Sequence, residues 1–206
     1  MPHTILFSGH MIDQPDRPTP RFPASNEASA AQAILQALRK TQAATGTEAL
    51  RGIAAAACGG DILFHEACQA LHIPSEVYLA IPVDAFRQTS VSPGGPPWET
   101  RYERLVRDLP VHILFPEATA DTADEVWEKA NQWMLDAALA NGGGPHLTIL
   151  ALWDGNKGDT GGTGHMIEVG SAQHASIAIL DTNTLVNGAT PHAPQAQSPS
   201  PPSFRS

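Results

Sequence analysis

Cysteine is scarce: Cys58 and Cys68 are the two in 206 residues. Two cannot build a disulfide framework, so the fold must rest on a buried core, and a reducing cytoplasm is the default compartment. Charge is also sparse, at 16% of residues, with twelve Lys and Arg against twenty-one Asp and Glu. The net charge of −9 disfavours binding dominated by nucleic-acid phosphates, so no nucleic-acid partner is expected. No apolar run approaches the roughly 20 residues of a membrane span. No basic segment precedes an apolar one at the N-terminus, so neither a membrane partner nor secretion is expected. Nine histidines are present, but His-Glu-x-x-His and paired Cys-x-x-Cys are missing, and His65-Glu66 has no second His four residues on. No metal or other cofactor is therefore expected. The lack of Gly-x-x-x-x-Gly-Lys-Ser/Thr and of Gly-x-Ser-x-Gly argues against ATP hydrolysis and serine esterase chemistry.

Glycine and proline are plentiful, at seventeen and eighteen, and they punctuate a series of apolar segments. Strands are predicted at 4–8, 52–58, 77–81, 111–115, 147–153 and 176–180. Between them lie helical patterns at about 27–44 (with Ser25 or Asn26 as N-cap), 62–71, 101–109, 122–140 and 165–174. The run Ile53-Ala54-Ala55-Ala56-Ala57-Cys58 reads as helix by propensity, but the Gly59-Gly60 that follows argues for strand, tight turn and helix. In that reading the alanines let a helix pack close above a central strand. Pro15, Pro18, Pro20 and Pro23 exclude regular helix from the first connection. Val126, Trp127, Trp133 and Met134 are most simply core. Unbroken apolar strands alternating with helices imply an α/β, Rossmann-like three-layer sandwich with a mostly parallel sheet of about six strands. Residues 1–181 form that domain, and the Pro/Ala/Ser-rich 182–206 is predicted to be a disordered tail. Oligomeric state is left open, a homo-oligomer included.

Ligands of such folds bind beyond the carboxyl ends of the strands, which directs attention to three glycine turns. Gly161-Gly162-Thr163-Gly164 opens the last helix; its backbone N–H groups and helix N-terminus suit a phosphate, with Thr163 adding a hydroxyl. Glu168, farther along, could reach a ribose or act as a base, or could simply face solvent. Gly59-Gly60-Asp61 suits close approach of a sugar or base, with Asp61 accepting from hydroxyls or merely capping its helix. Ser8-Gly9-His10 offers a side chain that titrates near neutrality. Arg101 and Arg104 could clamp a phosphate, though a solvated helix face with Glu99 and Glu103 explains them as well. Cys58 is a candidate nucleophile, but a small buried cysteine is the commoner reading.

These three turns in this order resemble the SLOG superfamily, which joins the Lonely Guy phosphoribohydrolases, the DNA-processing protein A fold and nucleotide-sensing domains of bacterial conflict systems. The stretch from Gly161 to Glu168 is similar to the Lonely Guy signature Pro-Gly-Gly-x-Gly-Thr-x-x-Glu. It departs in having Thr160 for the proline and in the spacing of Glu168. The segments 7–13, 58–67 and 150–155 look like an uncharacterised Rossmann-like domain found beside tetratricopeptide repeats or cyclase domains in bacterial proteins. The resemblance covers about residues 3–181. It implies a pocket that binds or senses a nucleotide or nucleotide derivative, and the residues read above as its candidate contacts are Ser8, Gly9, Gly59, Gly60, Gly161, Gly162, Thr163, Gly164 and Arg101; none of them securely matches the arginine that Lonely Guy enzymes use. The alternative it implies is a hydrolase, an N-glycosidase cleaving a nucleoside monophosphate or dinucleotide, with Glu168 in the catalytic position and His10 or Asp61 assisting.

Overall fold

The computed structural model describes residues 2–45, 50–118, 125–140, 142–156 and 162–185. Its strands are β1 (His3–Gly9), β2 (Leu50–Ala54), β3 (Ser75–Leu79), β4 (Val111–Ile113), β5 (Leu147–Trp153) and β6 (Ser176–Asp181). They form one sheet in the order β4-β3-β2-β1-β5-β6, and every pairing is parallel. The helices are α1 (Glu27–Thr45), α2 (Gly60–Ala70), α3 (Val83–Phe86), α4 (Pro96–Asp108), α5 (Glu125–Leu139) and α6 (Thr163–Ala172). This is the α/β, Rossmann-like architecture that the alternating apolar segments imply.

Period-2 alternation divides the strand side chains between two faces. Ile5, Phe7, Ala54, Val77 and Leu79 pack with α1, α2 and α4 through Ile34, Leu38, Ile62, Phe64, Tyr102 and Leu105. The intervening Leu6, Ile53 and Tyr78 pack instead with Met134, Leu135 and Ala138 of α5 and Met166 of α6. Both faces are covered, which is why the strands read as unbroken apolar runs. The chain winds outward from β1 to β4, then crosses back to place β5 on the other side of β1. Ligands of open α/β sheets gather where the winding reverses, here between the carboxyl ends of β1 and β5. Their register brings Gly9 opposite Leu152, so the two strands end together.

Several boundaries differ from the sequence expectation. Strand β2 stops at Ala54 rather than Cys58. The Ala57 N–H goes to the Asp61 carboxylate and the Cys58 N–H to the Ser90 carbonyl, so the run leaves the ladder while staying buried enough to look like strand. Helix α4 begins five residues early, at Pro96, because proline is tolerated in a first turn and Gly95, at φ +89°, supplies the entry bend. Ser25 and Asn26 lie in a 3-10 turn ahead of α1 rather than capping it. The α3 turn and the π-helical Arg87–Val91 that follows carry no periodic signal in the sequence. At the other end, Thr182–Thr184 form a 3-10 turn, Thr182 is buried and Leu185 packs on the core, past the expected boundary at 181. Residues 186–206 lie outside the described residues.

Candidate functional site

A cavity of about 560 Å³ opens where side-chain bulk runs out on the α5/α6 face of the sheet. Leu6, Ile53 and Tyr78 are large, but Ser8, Ala55 and Ala80, two residues farther along each segment, are small and line the cavity floor. Helix α5 supplies one wall through Trp127, Ala130, Asn131 and Met134, an i, i+3, i+4, i+7 stripe on one helical face. Trp127 and Met134 were expected simply as core; they also face this space. The alanine run has a corresponding double duty. Ala54 and Ala56 are fully buried in the core, while Ala55 and Ala57 line the cavity. Its volume is that of a small-molecule site.

The polar groups lie toward β1, β5 and α6. The Ser8 hydroxyl donates to the Thr163 hydroxyl at 3.3 Å, joining the end of β1 to the first residue of α6. Gly162 is the N-cap of α6, so the N-terminus of that helix, with its first N–H groups, stands at the cavity end that Gly162 and Thr163 line. From the proline-rich first connection come Arg17 and Arg21, which the sequence reading passed over. The Asp13 carboxylate accepts the N–H groups of Arg21 (2.7 Å) and Phe22 (2.8 Å). That folds the connection back over the cavity and places Arg21 within 3.2 Å of Asp154.

His10 is buried beside Asp154, with Nε2 at 3.1 Å from Oδ1. Burial, reinforced by Arg21, lowers the His10 pKa despite Asp154. Nε2 also lies 3.2 Å from the Asp154 N–H and 3.4 Å from Arg21 Nη2; the tautomer sets its role, a protonated Nε2 donating to Asp154 Oδ1 and a bare one accepting from these N–H groups. Desolvation pushes the Asp154 carboxyl up, but the Asn156 N–H and amide together with His10 outweigh it and hold it well below the usual carboxylate range. Asp61 behaves in the opposite way. It is 7% exposed, and desolvation raises its pKa to about 7 against the stabilising N–H groups of Ala57 and Gly9. Gly59 is the N-cap of α2 and Asp61 lies within its first turn, so this carboxylate does not cap the helix. It faces the cavity instead.

Of the expected site residues, Ser8, Gly9, His10, Asp61, Gly162 and Thr163 come together around this cavity. Gly161 lies outside the described residues. Gly164 stands against the Trp153 ring and is not a lining residue. Gly59 and Gly60 are also absent from the lining, and chain packing accounts for them. A Cβ on Gly59 would stand 2.6 Å from the Ile12 nitrogen, and one on Gly60 would stand 3.1 Å from the Gly9 Cα. Arg101 is away from the cavity altogether: its guanidinium grips Glu66 through two nitrogens, reaches Glu27 at 2.7 Å and stacks over Trp98. It ties α1, α2 and α4 together. Glu168 is exposed on α6 and does not line the cavity, because the helix starts at Thr163 and carries position 168 round to the solvent side. Cys58 is buried with its thiol pushed up to about 11 by desolvation, unsuited to nucleophilic attack. Among the described residues no group of three or more His, Cys, Asp or Glu is placed to hold a metal ion, and no helix is long and apolar enough to cross a membrane.

The sheet order, the two covered faces and the cavity at the strand ends define an α/β protein of the Rossmann-like class. No family model matches the sequence, and no curated protein matches it. Among solved structures, the chain is similar to the X-ray structure of DNA processing protein A (DprA) from Streptococcus pneumoniae, with a TM-score of 0.50 and 12% identity. The match covers 86% of this chain and 50% of that one, so the chain spans about half the length of its structural neighbour. At that identity the likeness is one of fold. The shared fold is the α/β, Rossmann-like sheet described above.

Proposed function

We propose that this cavity binds a nucleotide or nucleotide derivative, and that the domain serves as a sensing module. The observation that supports the reading most is the pairing of Ser8 and Thr163 at the N-terminus of α6, inside a cavity that also holds aromatic walls and a buried carboxyl. Hydroxyl donors beside unpaired helix N–H groups favour a phosphate. Aromatic side chains favour a base, and a carboxyl is suited to ribose hydroxyls. The setting beside repeat or cyclase domains that the sequence resemblance implies fits signalling in a bacterial cytoplasm.

A thermal-shift panel of nucleoside monophosphates, NAD and ribose 5-phosphate tests the reading, because a ligand specific for the folded state raises its stability. The Gly162→Val variant should weaken nucleotides about tenfold or more, equivalent to roughly 1.4 kcal/mol, and the matching nucleosides less. Equal losses for both would remove the phosphate from this helix end. A single-stranded oligodeoxynucleotide belongs in the same panel, since the structural neighbour is named for DNA processing. The net charge of −9 leads us to expect no binding of it.

A second reading, N-glycosidase chemistry, is favoured by Asp61, whose carboxyl titrates near neutrality inside the cavity. Such a group can give or take a proton at physiological pH. In that mechanism Asp61 rather than Glu168 would assist departure of the base or activate water, with His10 nearby as a second proton carrier. Chromatography of nucleotides incubated with the protein would show released base, abolished in Asp61→Asn and retained in Glu168→Gln. Binding without release leaves the sensing reading in place.

A further inference from the structure

We infer that the cavity is directional: it accepts a nucleoside monophosphate laid across the strand ends, with the phosphate over the end of β1 at the start of α6 and the base in a slot over β3 against Trp127. This deepens the nucleotide reading and rests on it. The argument begins with where the chemistry lies along the sheet. Ser8, Gly162, Thr163 and Arg21 belong to β1, the start of α6 and the first connection, whereas Tyr78, Ala80 and Phe86 belong to β3 and the chain just after it. Strand β2 separates the two ends. Two strand spacings amount to about 10 Å, comparable to the reach of a nucleoside monophosphate from its phosphorus to its base. Asp61 stands between the ends, held by the N–H groups of Ala57 after β2 and Gly9 at the end of β1, where ribose hydroxyls would fall.

The apolar end has the shape a flat ring needs. Ala55 and Ala80 give a floor of methyl groups, and Ala130 keeps the facing turn of α5 equally low. Tyr78 is already engaged on both sides, by His112 with ring centroids 4.5 Å apart and by Trp133 at 4.7 Å. Trp127 packs on the core, and its ring contact among the described residues is a distant edge one with Phe86 at 6.2 Å, which leaves it partly exposed at the cavity wall. Trp127 is therefore the stacking platform. Asn131, one turn farther along the same stripe and 6% exposed, also lines this wall.

The test is calorimetric titration of wild type, Trp127→Leu and Ala130→Leu with adenosine 5′-monophosphate, cytidine 5′-monophosphate and ribose 5-phosphate, after circular dichroism of each protein. Both variants should weaken the two nucleotides at least tenfold while changing ribose 5-phosphate less than threefold. Trp127→Leu should weaken the purine nucleotide more than the pyrimidine, as the larger ring stacks more area. Adenosine 5′-monophosphate should also quench tryptophan fluorescence in wild type, and Trp127→Phe should remove most of that quench. The fluorescence arm keeps the proposal open to refutation even if Ala130→Leu does not fold. Nucleotides that bind wild type and both variants equally, or that bind without the quench, would put the base elsewhere and leave the nucleotide reading standing. Equal losses of ribose 5-phosphate and nucleotide would also overturn the slot. If no mononucleotide binds wild type, the nucleotide reading itself falls and takes the slot with it.

Discussion

Asp154, at the end of β5, holds His10 from the end of β1 with Oδ1 3.1 Å from Nε2, while its second oxygen receives Arg21 at 3.2 Å. One carboxylate thus joins the two strands at the winding reversal to the connection folded over the cavity. Asp154→Asn keeps the size and one of the two hydrogen bonds from Asn156 but removes the charge. We expect a loss of about 1–2 kcal/mol in urea unfolding at pH 7. The folded pKa lies below the unfolded value near 3.9, so Asp154 stabilises the fold above that value and the contribution fades as pH falls. The gap between wild type and variant should therefore narrow below about pH 4. A gap that persists unchanged at low pH would show that the charge is not what matters.

Asp61 carries the opposite pH signature. Its folded pKa is raised to about 7, so its favourable contribution is complete below the unfolded value near 3.9 and is lost as pH rises toward 7. Asp61→Asn has no such titration. Relative to wild type, the variant should gain stability between pH 4 and pH 8 by an amount on the order of 1–3 kcal/mol, and no more above that. Denaturant curves at pH 4, 6 and 8 would read the trend. A constant difference would mean that Asp61 is not desolvated in solution.

Gly59 combines a φ of +112° with a Cβ position 2.6 Å from the Ile12 nitrogen and 2.8 Å from the His10 carbonyl. Alanine there must strain the backbone and push the β1 loop away at the same time. We expect Gly59→Ala to lower stability by about 2 kcal/mol or more and to weaken ligand binding indirectly, by displacing His10. Unchanged melting would show that the two loops do not pack as described.

Arg101 distinguishes a structural arginine from a phosphate clamp. Arg101→Gln breaks contacts to Glu27, Glu66 and Trp98 and should destabilise the protein by about 1–2 kcal/mol, discounted for its partial exposure. Nucleotide affinity of the folded variant should stay within twofold of wild type. A tenfold loss of affinity, specific to phosphorylated ligands, would return Arg101 to the binding site.

The sequence by itself determined the layering. Apolar runs ending at glycine or proline mark the strands, and the 3.6-residue patterns of about 27–44 and 62–71 mark helices, because both signals arise from burial along one segment and need no knowledge of neighbours. It also located the strand ends that carry Ser8, Gly9, His10, Asp61, Gly162 and Thr163. The sheet order was a tertiary decision, since nothing local tells β5 to pair with β1 rather than β4. From that order came the cavity and its occupants. Ala55 and Ala80 matter because they stand two residues beyond Ile53 and Tyr78 on one face, a relation between segments. Arg101 reads as a phosphate ligand until Glu27 and Glu66, 74 and 35 residues away, claim its nitrogens. Arg21 carries no signal of its own in the sequence, and only the fold of the chain onto Asp13 brings it to the cavity. Gly59 and Gly60 suggest a ligand's approach, yet their small size admits the backbone of residues 9–12. A glycine or an arginine records only that something comes close; long-range packing decides whether that something is a ligand or the chain itself.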